Sequence, residues 1–119
     1  MPIILKPDTI VETTLPCERH KPEADRIVWL ARALSCTDAI AYEADVQALF
    51  ALATVAEQSK AANTLIRRIA TGWKNIVDGD NNPVAFDDSA LDGFTIQQKI
   101  MIASQLPDAA GWSAYEKKA

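Results

Sequence analysis

The amino-acid sequence predicts a mainly α-helical domain of the α+β class. We expect a small helical body, an extended N-terminal arm or short β-ribbon, and a turn-rich segment after the central helix. Apolar residues recur at helical spacing in residues 60–76, β-branched residues concentrate in residues 9–15, and turn-forming residues cluster in residues 78–83. At 119 residues the chain fits one domain. Its expected parts are an extended arm (1–22), a helical body (23–76), and a turn with short C-terminal helices (77–119).

Composition and charge disfavour several classes of protein. Hydrophobic residues make up 49% and charged residues 24% of the chain, which is typical of globular domains. The formal net charge of -4 disfavours nucleic acid as a partner, because the surface repels phosphates. The most apolar stretch, residues 48–56, is shorter than the roughly 20 residues a membrane span needs, so no membrane association is expected. The N-terminal residues predict no export signal, and Cys17 and Cys36 are expected to be reduced thiols.

The first third of the chain contains the strand candidates. Prolines at positions 2, 7, 16 and 22 disfavour helix, and residues 9–15 form either an edge strand or a mobile arm. Residues 22–25 look like the acidic first turn of a helix. In residues 26–34, the first apolar residues favour strand and the later ones favour helix, so the residues alone leave both open.

Two helices are expected in the middle of the chain. Thr37 is the expected N-cap of the first, whose apolar residues cover most of its circumference. Such a helix must be buried, either by its own fold or by a partner. A break near Ser59 separates it from the amphipathic helix, which is expected to reach Ile76. The apolar stripes of the first helix are Tyr42, Val46, Leu49 and Ala53, with Phe50, and beside them Ala44, Ala48, Leu52 and Val55.

Short helices are expected after the turn. Asp87 and its neighbours can cap a short helix, and Thr95 with Gln98 matches a capping box that opens another. This helix should end near Gln105, because Pro107 cannot continue it but can open a final short helix.

No catalytic residue, cofactor or metal is predicted. Asp78, Asp80 and Asn82 occupy the first, third and fifth positions of a calcium loop, but glycine is missing at the sixth position and glutamate at the twelfth. Cys17 and His20 have a metal-like spacing, yet no second ligand pair accompanies them. A single histidine in a proline-rich arm is a poor general base, so the sequence predicts a protein that is not an enzyme.

Charged and aromatic residues near the central turn are the candidate interaction sites. Arg67 and Arg68 could contact an acidic partner, although such residues more often serve solubility. Trp73, Phe86 and Trp112 are more often core residues, but aromatics beside turns can anchor an interface.

Three segments resemble the tail assembly chaperones of long-tailed bacteriophages. They are residues 25–38 (DRIVWLARALSCTD), 65–73 (LIRRIATGW) and 73–91 (WKNIVDGDNNPVAFDDSAL). The last is similar to the family's G-W-x-x-v-x-D-x-x-G-x-p-v-p-f-s-x-x-x-L pattern, but an asparagine stands where glycine is usual and Ala85 where a second proline is common.

The resemblance implies a strand in residues 26–34 and places Val84 and Leu91 beside Trp73 and Phe86 as candidate interaction residues. It implies a protein that binds tape-measure and tail-tube proteins in the host cytoplasm and is absent from the finished particle. Self-association is also expected, because the first helix has so much apolar surface. The alternative is a structural virion subunit, such as a head-tail joining or tail completion protein.

Overall fold

A three-stranded antiparallel sheet and four α-helices form the part of the chain that the computed structural model describes, residues 9–118, with side chains described to residue 111. The strand order is β1-β2-β3. This architecture confirms the predicted α+β class. The elements are β1 (Thr9–Thr13), β2 (Val28–Ala33), α1 (Cys36–Leu49), α2 (Val55–Ile69), β3 (Ala70–Lys74), α3 (Asp88–Leu91) and α4 (Ile96–Lys118), with 3-10 turns at Pro16–Glu18 and Glu23–Asp25.

Both strand candidates in the first third of the chain are strands. β1 pairs antiparallel with β2, and Thr13 lies opposite Trp29. Within β2, Trp29, Ala31 and Ala33 are buried in alternation, as expected for a strand with one face on the core. The described part of the predicted arm, residues 9–22, is therefore largely a sheet strand and one 3-10 turn. The first helical turn predicted after the arm is instead a second 3-10 turn, Glu23–Asp25. The remainder of the arm, residues 1–8, lies outside the described residues.

Capping side chains place the ends of α1 and α2 differently from the prediction. Ser35, rather than Thr37, caps α1, because its Oγ accepts the Asp38 N–H at 3.2 Å. The break between the helices lies at residues 50–54 rather than near Ser59. Thr54 begins α2 by accepting the Glu57 N–H at 3.1 Å, so Ser59, where the break was expected, lies within α2.

The prediction that α2 continues to Ile76 is wrong. The helix ends at Ile69, and the next five residues form β3, in which Trp73 lies opposite Trp29 of β2. Gly72 has low helix propensity and Trp73 favours strands, so pairing with β2 prevails over the helical spacing of the apolar residues.

α4 runs without interruption past Pro107, so the predicted helix end near Gln105 is wrong. Proline has no N–H to donate to the carbonyl four residues earlier, which here is Ala103. The buried Tyr42 hydroxyl donates to that carbonyl at 2.7 Å. α1 therefore supplies the hydrogen bond that the proline removes from α4.

The predicted caps after the turn are confirmed. The Asp87 carboxylate accepts the Ala90 N–H at 2.8 Å and begins α3. Thr95 and Gln98 form the capping box of α4, with reciprocal bonds of 3.1 and 2.8 Å.

The hydrophobic core lies between the sheet and the inner faces of α1, α2 and α4. Thr13 ties β1 to α4 by donating its hydroxyl to the Ala109 carbonyl at 2.9 Å. None of the helices within residues 9–118 combines the length and apolar character needed to cross a bilayer. The fully buried large side chains are Trp29, Lys99, Ile66, Ile69, Leu91 and Leu106.

Candidate interaction surfaces

Four aromatic side chains meet beside β3. Trp73 stacks on Phe86 with ring centroids 4.9 Å apart and planes inclined by 17°. Trp29 contacts Trp73 edge-on, with ring centroids 5.6 Å apart, and the centroids of the Phe94 and Trp73 rings are 6.2 Å apart. Trp29 is buried, whereas the other three rings are half-buried. The cluster therefore joins the core through Trp29, and its other three rings are partly exposed to solvent.

A hairpin formed by residues 76–84, after β3, is held against this cluster. The Trp73 indole N–H donates to the Val84 carbonyl at 2.8 Å. Within the hairpin, the Asp78 N–H donates to the Asn82 carbonyl at 2.9 Å, and the Asp78 carboxylate accepts the N–H groups of Asp80 and Asn82 at 2.9 and 3.0 Å. The first residue of the calcium-like pattern thus uses one carboxylate oxygen to form the turn.

The residues of the predicted aromatic interaction site lie in different parts of the structure and differ in burial. Trp73, Val84 and Phe86 come together and are half-buried. Leu91 is 0% exposed and belongs to the core, so its expected role as a surface contact is wrong for this fold. An apolar residue suits this position because α3 packs its Leu91 side chain inward. Trp112 lies in α4, but its side chain is outside the described residues.

Arg67 and Arg68 lie away from the aromatic cluster and connect helices. Arg67 pairs with Asp88 of α3 at 3.1 Å, and Arg68 pairs with Asp45 of α1 at 2.5 Å. The Arg68 guanidinium also lies 5.4 Å from the centroid of the Tyr42 ring. All four charged side chains are substantially exposed, so each pair contributes only about 0–1 kcal/mol to stability. Both arginines thus have a structural role on the outside of α2.

An exposed apolar surface on α1 was not identified as a site from the sequence. We define the α1 outer face as Ile40, Ala44, Gln47 and Ala48, all of which are exposed. These residues share one side of the helix by their spacing and lie opposite the buried stripe. Ile40 is 67% exposed.

Two more exposed apolar residues are Phe50, which directly follows α1, and Val55, the first residue of α2. The sequence indicated this surface only by predicting that apolar residues cover most of the circumference of α1. Periodicity alone did not show which side the fold would leave open.

A polar network, buried at Lys99 and Asn63 and exposed at Asp92, joins α2, α4 and the end of α3. The Lys99 ammonium, 1% exposed, donates to Ser59 Oγ at 2.6 Å and to the Asp92 carboxylate at 2.5 Å. Asn63 donates its amide to the same carboxylate at 3.0 Å. The hydrogen bond from Lys99, followed by that from Asn63, lowers the pKa of Asp92. The network therefore favours the ionised carboxylate and stabilises the packing of the helices.

The candidate metal ligands near the N terminus have other structural surroundings. Cys17 and His20 are exposed. Glu18 pairs with Lys21 at 2.6 Å; burial opposes ionisation, but hydrogen bonding outweighs it and lowers the pKa of Glu18. Among residues 9–111, no group of three or more His, Cys, Asp or Glu side chains is arranged to hold a metal ion.

These features define a small α+β domain with a filled core and one helix whose outer side is apolar and open. Comparison of the chain with protein-family models, with curated proteins and with solved structures finds no significant match.

Proposed function

We propose that this protein is a bacteriophage tail assembly chaperone that binds tape-measure and tail-tube proteins in the host cytoplasm during tail morphogenesis. The observation that carries the proposal is that the three segments resembling this family pack together. Residues 25–38 supply β2, residues 65–73 supply the end of α2 and β3, and residues 73–91 supply the hairpin and α3.

The contacts between these segments involve the residues that make the pattern distinctive. Trp73 lies opposite Trp29 in the sheet, stacks on Phe86 and donates to the Val84 carbonyl. Asp87 then caps the helix that buries Leu91. A fortuitous likeness among scattered residues would give no reason for them to form one packed unit, so this arrangement supports the proposal.

The chaperone would act by covering apolar surface on its partners until they assemble. Each 100 Å² of apolar surface removed from water contributes about 2.5 kcal/mol. The domain offers exposed apolar side chains for this on and near α1, while its own core is already filled. Self-association remains a prediction, and the sedimentation of the purified chain at several concentrations would test it.

The proposed role requires no catalysis and no cofactor. Proton transfer and nucleophilic attack need a base held in a fixed orientation by its neighbours. His20, the single histidine of the sequence, is exposed in the segment between the two 3-10 turns. Its position therefore supports a binding role over an enzymatic one.

The composition of assembly intermediates and finished particles tests the proposal. We expect the chain to co-purify with tape-measure and tail-tube proteins from infected cells and to be missing from purified particles. Deleting its gene should abolish tails, and supplying the chain in trans should restore them. A stoichiometric amount in purified particles would contradict the chaperone role and would indicate a structural subunit instead.

A further inference from the structure

We propose that the α1 outer face is a docking site for a basic amphipathic helix of a partner protein. The inference rests on the proposed chaperone function and deepens it, because it identifies the surface used and the chemistry of the segment that binds there. It follows from the shape of the face, the charges around it and its size.

The shape of the face favours a helix as the bound element. Ile40, Ala44 and Ala48 are spaced four residues apart and form a ridge along α1. The two alanines let another helix approach closely, and Ile40 can fill a groove between its side chains. An extended strand would need free backbone donors and acceptors, whereas the backbone groups within α1 are already hydrogen-bonded in the helix.

The charges around the face favour a basic partner. Residues 33–59 contain four acidic side chains and no lysine, arginine or histidine. By helical spacing, Glu43 lies on one side of the apolar ridge, and Asp38 and Asp45 lie on the other. Among residues 9–111, whose side chains the structure describes, only Asp45 of the four forms an ion pair, with Arg68. Asp38 lines one surface pocket together with Arg32 and Arg68, so the charge of Glu43 on the other side is the main feature that a basic partner would complement.

Lysine or arginine residues flanking an apolar stripe would complement this pattern. A second copy of the chain docking through the same face would instead bring like charges together, which is unfavourable. The charge pattern therefore selects a different protein as the occupant of this face, and the predicted self-association would use another surface.

The size of the face favours reversible binding. α1 has 14 residues and is therefore about 21 Å long at about 1.5 Å per residue. A single helix laid along it falls at the small end of specific interfaces, where burial below about 1,200 Å² is typical of transient complexes. Phe50 at the end of the helix enlarges the apolar contact without changing this class. An affinity that permits release is what a protein absent from the finished assembly requires.

A pair of designed peptides tests the proposal with the whole chain. Each peptide is a helix of about 20 residues with leucine at every third and fourth position; one has lysine along both flanks, and the other has glutamate there. We expect fluorescence anisotropy to show binding of the lysine peptide with a micromolar Kd. The glutamate peptide should bind at least about tenfold more weakly, and higher salt should weaken binding of the lysine peptide.

Three variants locate the binding surface. The double variant Ile40→Gln/Ala44→Gln should weaken binding of the lysine peptide by about tenfold or more. The matched control Val77→Gln, which removes an apolar side chain that is 51% exposed in the hairpin, should leave binding unchanged. Glu43→Lys should weaken binding of the lysine peptide and strengthen that of the glutamate peptide. An opposite shift of the two affinities is a result that general unfolding cannot produce.

Several results would overturn the proposal. They are equal binding of the two peptides, no binding of either, or equal effects of the α1 variant and the hairpin control. A dimer of the free chain that Ile40→Gln/Ala44→Gln dissociates and Val77→Gln preserves would assign the face to a second copy instead. The peptide measurement does not involve phage proteins. Its failure would reject this surface, whereas detection of the chain in finished particles would reject the proposed function.

Discussion

α1 and α2 are consecutive helices of nearly equal length, 14 and 15 residues, and they differ in what covers their outer sides. The outer side of α2 carries charged residues such as Arg67 and Arg68, which form ion pairs with neighbouring elements. The outer side of α1 carries Ile40 and several alanines exposed to solvent. A helix that only stabilises its own fold needs one apolar face, and the additional apolar surface on α1 is the surface to which we assign partner binding.

Removing one isoleucine from each helix should give the largest contrast. Ile66 of α2 is 0% exposed, and Ile66→Ala should lower the free energy of unfolding by about 2–5 kcal/mol through lost burial and a new cavity. Ile40→Ala, the same substitution on the α1 outer face, should change it by no more than about 0.5 kcal/mol. Urea unfolding of both variants measures the difference. Equal losses would show that the fold uses Ile40 as a core residue.

The stability that Tyr42 contributes from the inner side of α1 should depend on Pro107 of α4. Tyr42→Phe removes the hydroxyl that donates to the Ala103 carbonyl, which should cost about 1–3 kcal/mol because this buried acceptor loses its partner. In a Pro107→Ala background the helix regains its own N–H donor for that carbonyl, so Tyr42→Phe should cost less. A double-mutant cycle by urea unfolding tests this coupling. Strictly additive effects would show that the proline and the tyrosine act independently.

The polar network in which Asn63 of α2 takes part should make the stability of the fold dependent on pH. The hydrogen bond from Lys99, with that from Asn63, lowers the pKa of Asp92 below its ordinary value of 3.8. Because the folded pKa lies below the unfolded one, this stabilisation is present above the ordinary pKa and is lost as pH falls through the folded value.

Urea unfolding measured between about pH 6 and pH 2 should therefore show the advantage of the native protein over Asp92→Asn shrinking at the acidic end. An advantage that stays constant over this range would contradict the assignment.

The ion pair on the outer side of α2 should have the smallest effect. Arg67 and Asp88 are 54% and 59% exposed, so Arg67→Ala should change the unfolding free energy by about 0–1 kcal/mol, and salt should reduce the difference further. Thermal unfolding at low and high salt measures it. A loss as large as that of Ile66→Ala would mean that the outside of α2 is structurally essential, and the contrast with α1 would disappear.

Local chemistry predicted much of the fold. The β-branched residues of β1 and the caps at Asp87 and Thr95 are signals contained within a few neighbouring residues, and the structure confirms them. The strand β3 could not be found in this way, because its conformation depends on pairing with β2 across a long stretch of chain. The continuity of α4 past Pro107 depends similarly on the distant Tyr42 hydroxyl.

The candidate interaction sites were predictable only in part. The sequence places Trp73 and Phe86 near one another because both adjoin the same turn, and the structure stacks their rings. It does not show that Leu91 is fully buried, since both core and interface favour apolar residues. The openness of the α1 outer face likewise depends on which side the sheet and α4 cover.

Co-purification from infected cells tests the central claim, that the outer side of α1 is the surface through which this domain holds its partners. Cells supplied with the native chain, with Ile40→Gln/Ala44→Gln or with Val77→Gln are compared for the tape-measure protein recovered with the chain. The account predicts that the native chain and the hairpin control retain it and that the α1 variant loses it while remaining folded. Equal recovery with all three chains would contradict the claim.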